Sequence, residues 1–340
     1  MPRLSEIFPG GYGPALEREV RSSLEGQDGL LHNMLLYQLG GVDEHGTPMS
    51  SLSVECLHPY LCLMACESLS GEFSPALIPA AAVELVHQYA LMHEDVQAGS
   101  PNRGHRPTVW WVWGPGQAIN AGDGMHAMAR ITLMRLHRQG TQVDRVLKAM
   151  QLLDQSSLSL CEGQHMDLAF QERLDPSVDF YERMAERKSG ALVACAMGLG
   201  ALTATEDEPV VTALHNCGRQ IGIAWQMAQD IRDLSGSSGQ DGPSDSLLNK
   251  KKLLPIVHAL ESGEPALKRE LGTMYFKRIL DPEDVHRMVE ILEEASAMEF
   301  SRKLLASHCE RAVDALSGTP VSSAGRATLE HLLREMMDEA

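Results

Sequence analysis

The sequence predicts an all-α protein that folds as one helical domain. Apolar residues recur at spacings of three and four through most of the chain, and no region shows a sustained two-residue alternation. Aromatic residues make up only 5% of the 340 residues, whereas Leu, Ala and the 18 Met are frequent. A chain of this length can bury a large core, and no change of composition marks a second domain. We therefore predict a single all-α domain over residues 1–340.

The periodic segments define the predicted helices in chain order. They lie at 15–39, 55–70, 76–97, 116–139, 143–173, 177–203, 208–234, 250–263, 265–277, 282–297, 299–316 and 323–338. Residues 1–14 are predicted to form an N-terminal tail. Pro79 and Pro282 stand where the first turn of a helix tolerates proline, and Asp281 is a candidate N-cap.

Two stretches rich in Gly, Pro and Ser interrupt the helical pattern. Residues 98–115 alternate Gly and Pro with polar side chains. Residues 235–249 begin with Ser-Gly-Ser-Ser-Gly and are predicted to form a flexible polar loop. Each loop either acts as a lid over a site or merely connects two helices.

Charge and hydropathy exclude several classes of protein. The net charge of −17 and a pI near 5.2 argue against a nucleic-acid-binding protein, because phosphate backbones require clustered Lys and Arg. The longest apolar stretch, residues 190–204, is shorter than the roughly 20 residues that span a bilayer, so we expect no stable membrane insertion. The N-terminus lacks a secretory pattern, and we expect a cytoplasmic enzyme. The seven Cys form no Cys-x-x-Cys pair and are interpreted as reduced, structural thiols.

The candidate chemistry lies in one acidic motif and five further blocks. The first motif, at residues 93–108, is followed by blocks at 116–123, 161–168, 187–192, 226–233 and 250–255. In content and order they resemble the trans-isoprenyl diphosphate synthases, the polyprenyl synthetase family, and the resemblance covers roughly residues 30–262. It implies a single isoprenoid-synthase-type bundle around a deep apolar pocket. Two acidic helices would face each other across its mouth, usually within a homodimer.

The acidic motifs depart from the family pattern. The family has Asp-Asp-x-x-Asp followed by Arg-Arg, whereas this chain has Glu94, Asp95 and Ala98. The first acid of the second motif is a Gln, and two later acids remain. Magnesium prefers carboxylate oxygens and helps a diphosphate to leave. The resemblance therefore implies that Mg²⁺ is held by Glu94, Asp95, Asp230 and Asp233.

The residues that resemble the isopentenyl diphosphate site are largely replaced. The family's Lys-Arg-x-Arg run corresponds to Glu55, Cys56 and His58, and the second Arg after the first motif is Gly104. A carboxylate in place of a cation reverses the sign of the interaction with a diphosphate. His87 is the one polar residue that remains there, although a core histidine is the simpler interpretation.

The residues that resemble the allylic side are mostly retained. Arg103 matches the Arg that binds the allylic diphosphate, and Lys188 with Ser189 matches a Lys-Thr pair. Tyr89 resembles the bulky floor that limits the pocket to chains of about fifteen to twenty carbons. The other residues implied in substrate binding are Gln164, Asp167, Gln226, Lys250 and Lys251.

This asymmetry suggests an enzyme that ionises one allylic prenyl diphosphate and cyclises or rearranges the cation, as class I terpene synthases do. Two alternatives stay open: a chain-elongating farnesyl or geranylgeranyl diphosphate synthase, and a non-catalytic regulatory subunit. The expected partners are the allylic diphosphate and either a second copy of the chain or an active synthase. Transfer of the prenyl group to a non-isoprenoid acceptor is a further alternative.

Overall fold

The predicted all-α architecture is confirmed. The computed structural model describes residues 4–26, 28–52, 57–173, 175–236, 251–277 and 280–340. Glu55, Cys56, Lys250 and residues 237–249 of the predicted loop 235–249 lie outside the described residues.

The first eleven α-helices build the main body. They are α1 (Leu4–Ile7), α2 (Tyr12–Leu24), α3 (Leu30–Gln38), α4 (Leu57–Ser70), α5 (Leu77–Ala98), α6 (Val109–Trp113), α7 (Pro115–Arg138), α8 (Val143–Glu172), α9 (Val178–Ala185), α10 (Ala191–Ala204) and α11 (Glu208–Gly236). The C-terminal helices are α12 (Leu254–Ser262), α13 (Pro265–Phe276), α14 (Pro282–Glu294), α15 (Ala297–Asp314) and α16 (Ser323–Asp338). Across the described residues, no helix is both long and apolar enough to cross a bilayer.

Helix α10 lies at the centre of the body and is buried along nearly its whole length. Its composition of Ala, Gly and Leu lets neighbouring helices approach closely. A Cβ at Gly200 would lie 2.1 Å from the carbonyl oxygen of Cys62 on α4. A Cβ at Gly218 on α11 would lie 2.6 Å from the carbonyl oxygen of Val193. Small residues therefore fix how α4, α10 and α11 pack, and these helices carry part of the cavity wall.

The N-terminal region differs from the prediction. The predicted helix 15–39 is divided into α2 and α3, because Gly26 and Gly29 adopt φ values of 78° and 89°. The predicted tail 1–14 contains α1 and the start of α2, and Phe8 and Tyr12 are fully buried. The four residues of α1 are too few for periodicity to reveal, and Phe8 and Tyr12 are buried through contacts with distant residues such as Tyr60 on α4.

The loop at residues 98–115 folds back over the end of α5. Two short antiparallel strands, β1 (Asn102–Arg103) and β2 (Arg106–Pro107), form a hairpin, and Gly104 adopts a φ of 60° in its turn. This hairpin returns Arg103 to the acidic end of α5. The loop is therefore an ordered element that places a cation.

A π-helical turn, Glu186–Gly190, joins α9 to α10 within the predicted helix 177–203. It carries Lys188 and Ser189. A Cβ at Gly163 on α8 would lie 2.2 Å from the backbone nitrogen of Lys188, so only Gly lets α8 pack this closely against the turn. That close packing brings Asp167, one turn further along α8, within reach of Lys188.

Candidate active site

A cavity of about 700 Å³ lies among α4, α5, α8, α11, the π-helical turn and the segment that leads into α12. Most of the predicted site residues line it, although they come from distant parts of the chain. They are His87, Tyr89, Glu94, Arg103, Gln164, Asp167, Lys188, Ser189, Gln226, Asp230, Asp233 and Lys251. Asp95 instead lines a neighbouring cavity of about 650 Å³, which shares Arg103 with the first.

Asp95 and Glu94 point to different surroundings because consecutive helical residues are about 100° apart. Asp95 is buried and accepts hydrogen bonds from Arg103, from Nη2 at 2.7 Å and from Nε at 3.0 Å. Burial raises the pKa of the Asp95 carboxyl, and the Arg103 guanidinium opposes that shift. The same Nη2 also reaches Glu94 Oε2 at 3.2 Å. Asp95 therefore holds the guanidinium that contacts Glu94.

Glu94 also pairs with a cation from the opposite side of the cavity. Lys188 Nζ donates to Glu94 Oε1 at 3.2 Å and to Asp167 Oδ2 at 2.5 Å. Burial would raise the pKa of Glu94, but Lys188, Lys251 and Arg103 outweigh it and lower that pKa to about 2. Burial would lower the pKa of Lys188, and Asp167 and Glu94 reverse this and raise it. Both groups are thus charged throughout the physiological pH range.

Asp230 on α11 lies in a network of hydrogen bonds from uncharged donors. Its carboxylate accepts from Tyr181 Oη at 2.7 Å, from Gln226 Nε2 at 2.9 Å and from the Leu254 backbone N–H at 3.0 Å. Burial raises the pKa of Asp230 to about 6, although these hydrogen bonds oppose the shift. Ser189 Oγ donates to Gln226 Oε1 at 2.6 Å, which extends the network to the π-helical turn.

Two lysines, Lys251 and Lys252, precede α12 and differ in their contacts. Lys251 lines the cavity, and it lowers the pKa of Glu94. Lys252 also lines this cavity, and its Nζ donates to the carbonyl oxygens of Phe170 and Gln171, each at 2.8 Å, at the C-terminal end of α8. Its ammonium fastens the segment before α12 to α8.

The carboxylates fit a magnesium ion that arrives with a diphosphate. Glu94, Asp230 and Asp233 offer carboxylate oxygens on two helices that border one cavity. Within residues 4–340, apart from the short undescribed stretches, no three His, Cys, Asp or Glu side chains come close enough to hold a metal by themselves. Mg²⁺ commonly binds through one or two carboxylates together with substrate phosphates. The donor types therefore suit Mg²⁺, although the protein alone does not form a closed site.

The wall of the cavity contains a pair of histidines. The rings of His58 on α4 and His87 on α5 lie 4.4 Å apart between centroids. Burial, and then the neighbouring His87, lowers the pKa of His58 well below its ordinary value. Burial, and then Arg103, lowers the pKa of His87 to about 4. Both imidazoles are therefore uncharged near pH 7.

The polar mouth leads to an aromatic and apolar interior. Tyr89 Oη lies 3.5 Å from Cys161 Sγ, and Trp225 lines the same cavity. The tryptophans that follow the first motif do not contribute: the side chain of Trp111 is 60% exposed, and Trp110 Nε1 donates to the Ser100 carbonyl oxygen. Tyr89 and Trp225 therefore supply aromatic surface to the cavity, and the tryptophans of α6 do not.

Some important residues were not identified from the sequence. Tyr181 lies outside every predicted motif, yet its hydroxyl donates a hydrogen bond to Asp230. Gln97 accepts a hydrogen bond from Gln164 Nε2 at 2.9 Å. The burial of Tyr181 could be guessed from the helical pattern, but its partner lies 49 residues away and no local spacing indicates it.

Known proteins similar to this chain have one family in common. The family model described as polyprenyl synthetase matches residues 53–292. The geranylgeranyl diphosphate synthase of Mycobacterium tuberculosis is 33% identical over 307 residues, which cover 89% of this chain and 85% of that protein. The crystal structure of a polyprenyl synthetase from Streptomyces coelicolor A3(2) superposes with a TM-score of 0.88 at 27% identity and covers 98% of this chain and 99% of that one. The geranylgeranyl pyrophosphate synthetase of Pyrococcus horikoshii Ot3 gives a TM-score of 0.84 at 26% identity, with 98% of each chain covered.

Proposed function

The chain belongs to the polyprenyl synthetase family and is an enzyme that acts on prenyl diphosphates, and from that premise we propose that it is a chain-elongating prenyltransferase. In this proposal it ionises an allylic prenyl diphosphate of about fifteen to twenty carbons and joins the cation to isopentenyl diphosphate. The names of the relatives favour this alternative over the cyclisation that the sequence motifs suggested first. The proposed enzyme is a cytoplasmic, magnesium-dependent homodimer.

The observation that carries the proposal is the convergence of cations on Glu94 at the mouth of the cavity. Lys188 and Arg103 each bind this one carboxylate, and Lys251 lies near enough to lower its pKa. A diphosphate is a stronger anionic partner than one carboxylate, because it offers more charge and more acceptor oxygens. In the proposed reaction the three cations transfer to the diphosphate, which frees Glu94.

Each remaining group has a role in that exchange. Mg²⁺, when bound, supplies positive charge that stabilises the leaving diphosphate, and Glu94, Asp230 and Asp233 would hold it. Asp167 keeps Lys188 at the mouth, and Asp95 keeps Arg103 there. The apolar interior takes the hydrocarbon chain and excludes water, which would otherwise capture the cation. Its volume of about 700 Å³ is in the usual range for small-molecule sites.

A second candidate is cyclisation or rearrangement without isopentenyl diphosphate. It is favoured by the histidine pair, because His58 stands where the family resemblance implies an Arg and is uncharged. Gly104 likewise replaces an Arg, and a neutral imidazole attracts a second diphosphate less than a guanidinium does. In this candidate the same cation forms, and an alkene within its own chain attacks it.

The proposed homodimer would form through the outer faces of α7 and α8. Ile131 and Met134, three residues apart on α7, are each 54% exposed, and Leu147 and Leu158 on α8 are 57% and 62% exposed. Exposed apolar side chains that share adjacent helix faces commonly mark an interface between proteins. Sedimentation of the purified chain would test this, since a strictly monomeric species would contradict it.

One experiment separates these functions. Geranyl, farnesyl and geranylgeranyl diphosphates are each incubated with the protein and Mg²⁺, with and without isopentenyl diphosphate, and both released diphosphate and organic products are measured. Longer diphosphates that require isopentenyl diphosphate support chain elongation. Hydrocarbons or alcohols formed without it support the second candidate. Absence of diphosphate release from all three substrates contradicts both and favours a non-catalytic subunit.

A further inference from the structure

The cavity beside the first, here named the second cavity, has a volume of about 650 Å³ and no role in the proposed ionisation. Leu91 and Arg103 line both cavities, so the two adjoin. The other walls of the second cavity come from α2, α3, the β1–β2 hairpin and the face of α5 that carries Gln88 and Asp95. Its volume is within the usual range for sites that bind small molecules.

Two arginines that line the second cavity face each other on the hairpin. Arg103 and Arg106 are directly opposite in its register, on either side of a two-residue turn. Opposite residues of an antiparallel pair project their side chains to the same face, and like charges placed this way destabilise a hairpin. An anion bound between the two guanidinium groups would remove that repulsion.

The guanidinium of Arg106 is held in place without an acidic partner. Its central carbon lies 4.2 Å from the centroid of the Tyr37 ring, and its Nη2 donates to the Val42 carbonyl oxygen at 3.2 Å. Tyr37 Oη in turn donates to the Pro107 carbonyl oxygen at 2.8 Å, which fixes the ring to the hairpin. A guanidinium has five N–H groups in a planar fork that matches phosphate oxygens, so most of its donors remain for a ligand.

The carboxylates that line the second cavity already have cationic partners. Asp95 pairs with Arg103 at 2.7 Å, and Glu17 pairs with Arg21 at 2.9 Å. Within the part of the chain that the structure describes, no carboxylate lies within ion-pair distance of Arg106. Arg106 therefore contributes a positive charge that the wall of the second cavity does not balance.

Two amides supply an uncharged donor to the same wall. Gln88 Nε2 donates to Glu84 Oε1 at 2.7 Å, and Gln38 Nε2 donates to Gln88 Oε1 at 2.9 Å. Because the Glu84 oxygen accepts the first bond, Gln88 presents its own oxygen to Gln38. The amide nitrogen of Gln38 has a second N–H, which can donate to an anion.

We propose that the second cavity binds a phosphate or diphosphate group, with Arg106 as its principal cation and Arg103 and Gln38 as further donors. Two small compounds of the proposed reaction carry that group: isopentenyl diphosphate, and the inorganic diphosphate that ionisation releases. Either would bind beside the allylic substrate, because Leu91 and Arg103 also line the first cavity. The choice between these two sources rests on the proposed function, whereas the anion site does not.

The first test measures binding by titration calorimetry. A non-ionisable analogue of the allylic diphosphate and Mg²⁺ occupy the first cavity, and the protein is then titrated with isopentenyl diphosphate or with inorganic diphosphate. Arg106→Gln should weaken binding of the true ligand about tenfold, because it removes charge-assisted hydrogen bonds. Arg106→Lys keeps the charge but not the planar fork, so its loss should be smaller.

Steady-state kinetics then distinguish the two sources. A KM for isopentenyl diphosphate that rises about tenfold in Arg106→Gln, with the KM for the allylic diphosphate nearly unchanged, identifies isopentenyl diphosphate as the ligand. Unchanged KM values, together with an inhibition constant of inorganic diphosphate that rises about tenfold, identify the released product. Both results support the site.

The matched control is Arg173→Gln. The Arg173 guanidinium also lies over an aromatic ring, at 4.9 Å from the centroid of Phe180, but Arg173 lines neither cavity. The substitution removes the same charge from the protein and should leave every binding and kinetic constant unchanged. Thermal unfolding of each variant checks that the fold is retained.

Two results would overturn the proposal. One is unchanged affinity for both probes in Arg106→Gln; the other is an equal loss in Arg173→Gln, which would assign the effect to the net charge of the protein. Failure of the proposed function looks different, since the wild-type protein would then release no diphosphate from any allylic substrate while Arg106→Gln still weakened binding of a probe.

Discussion

The two acidic helices at the cavity mouth hold their carboxylates in opposite ways. On α5, Glu94 is ionised and shared between cations from the hairpin and the π-helical turn. On α11, Asp230 is buried among uncharged donors, and its pKa is raised to about 6. We propose that the cations paired with Glu94 on α5 exchange it for a diphosphate, whereas the hydrogen bonds that Asp230 accepts join α9, α11 and α12 into one wall.

The largest effect is expected from Lys188→Ala, which removes the cation that α5 shares with α8. Loss of one partner of a buried ion pair commonly destabilises a protein by about 3–5 kcal/mol, because the remaining charge is left unpaired. Glu94 and Asp167 would both lose that partner. We also expect kcat/KM for the allylic diphosphate to fall about 1000-fold, since cations that stabilise a leaving group contribute on that scale. Steady-state kinetics and chemical denaturation measure the two effects.

The matched control is the neighbouring residue, Arg187→Ala. Arg187 forms a half-exposed ion pair with Glu162 at 2.7 Å, and such pairs contribute about 1 kcal/mol or less. If Arg187→Ala lost as much stability and kcat/KM as Lys188→Ala, the ion pair between Lys188 and Glu94 would have no special role, and any substitution in the π-helical turn would have the same effect.

The next largest effect is expected from Asp230→Asn on α11, which should change how the stability of the protein depends on pH. The pKa of Asp230 is above its ordinary value in the folded protein, so between pH 4 and 6 the folded state binds more protons than the unfolded state. The contribution of Asp230 to the free energy of unfolding is therefore most favourable below about pH 4. It is lost as the pH rises through about 6, by roughly 3 kcal/mol in total. Asp230→Asn lacks this titration, so its free energy of unfolding relative to wild type should rise between pH 4 and 7.

Urea denaturation at several pH values measures the difference. Glu94→Gln is the control with the opposite sign: Glu94 has a pKa of about 2, so the wild type gains stability over this variant as the pH rises from 2 to above 4. Parallel pH profiles for Asp230→Asn and wild type would show that the two acidic helices do not differ in the way described.

Much of this comparison could be predicted from sequence, and particular parts could not. Helical periodicity predicted the helices, because helix faces are encoded locally, and the resemblance to the polyprenyl synthetase family implied that Glu94, Arg103, Lys188 and Asp230 surround one pocket. The pairing of Asp95 with Arg103 at the second cavity could not be predicted, because it depends on how the hairpin folds back onto α5. The partners of Asp230 depend on contacts across the fold, which no spacing in the sequence reveals. Cyclisation was expected from missing cations, but the similarity to chain-elongating synthases extends over most of the chain.

A smaller effect is expected from Asp95→Asn, which sharpens the division of roles within α5. Asp95 holds Arg103 and faces the second cavity, so we propose that it positions the guanidinium and does not bind metal. Loss of this charge-assisted pair should raise the dissociation constant of the allylic diphosphate about tenfold, equivalent to about 1.4 kcal/mol. The affinity for Mg²⁺ in the presence of inorganic diphosphate should stay within twofold of wild type in Asp95→Asn and decrease in Glu94→Gln. Titration calorimetry measures both, and equal loss of Mg²⁺ affinity in the two variants would identify Asp95 as a ligand.

The smallest effect is expected from Ser189→Ala, at the point where the two sides meet. Ser189 Oγ donates to Gln226 Oε1 at 2.6 Å, and Gln226 in turn donates to Asp230, so the hydroxyl connects the turn that carries Lys188 to α11. A single uncharged hydrogen bond contributes about 1 kcal/mol, and its loss should lower kcat/KM about three- to tenfold. Ser189→Thr keeps the hydroxyl and is expected to behave as wild type. If the Ala variant lost as much activity as Lys188→Ala, the neutral network of α11 would be as important for turnover as the charges on α5, and the distinction between the two helices would fail.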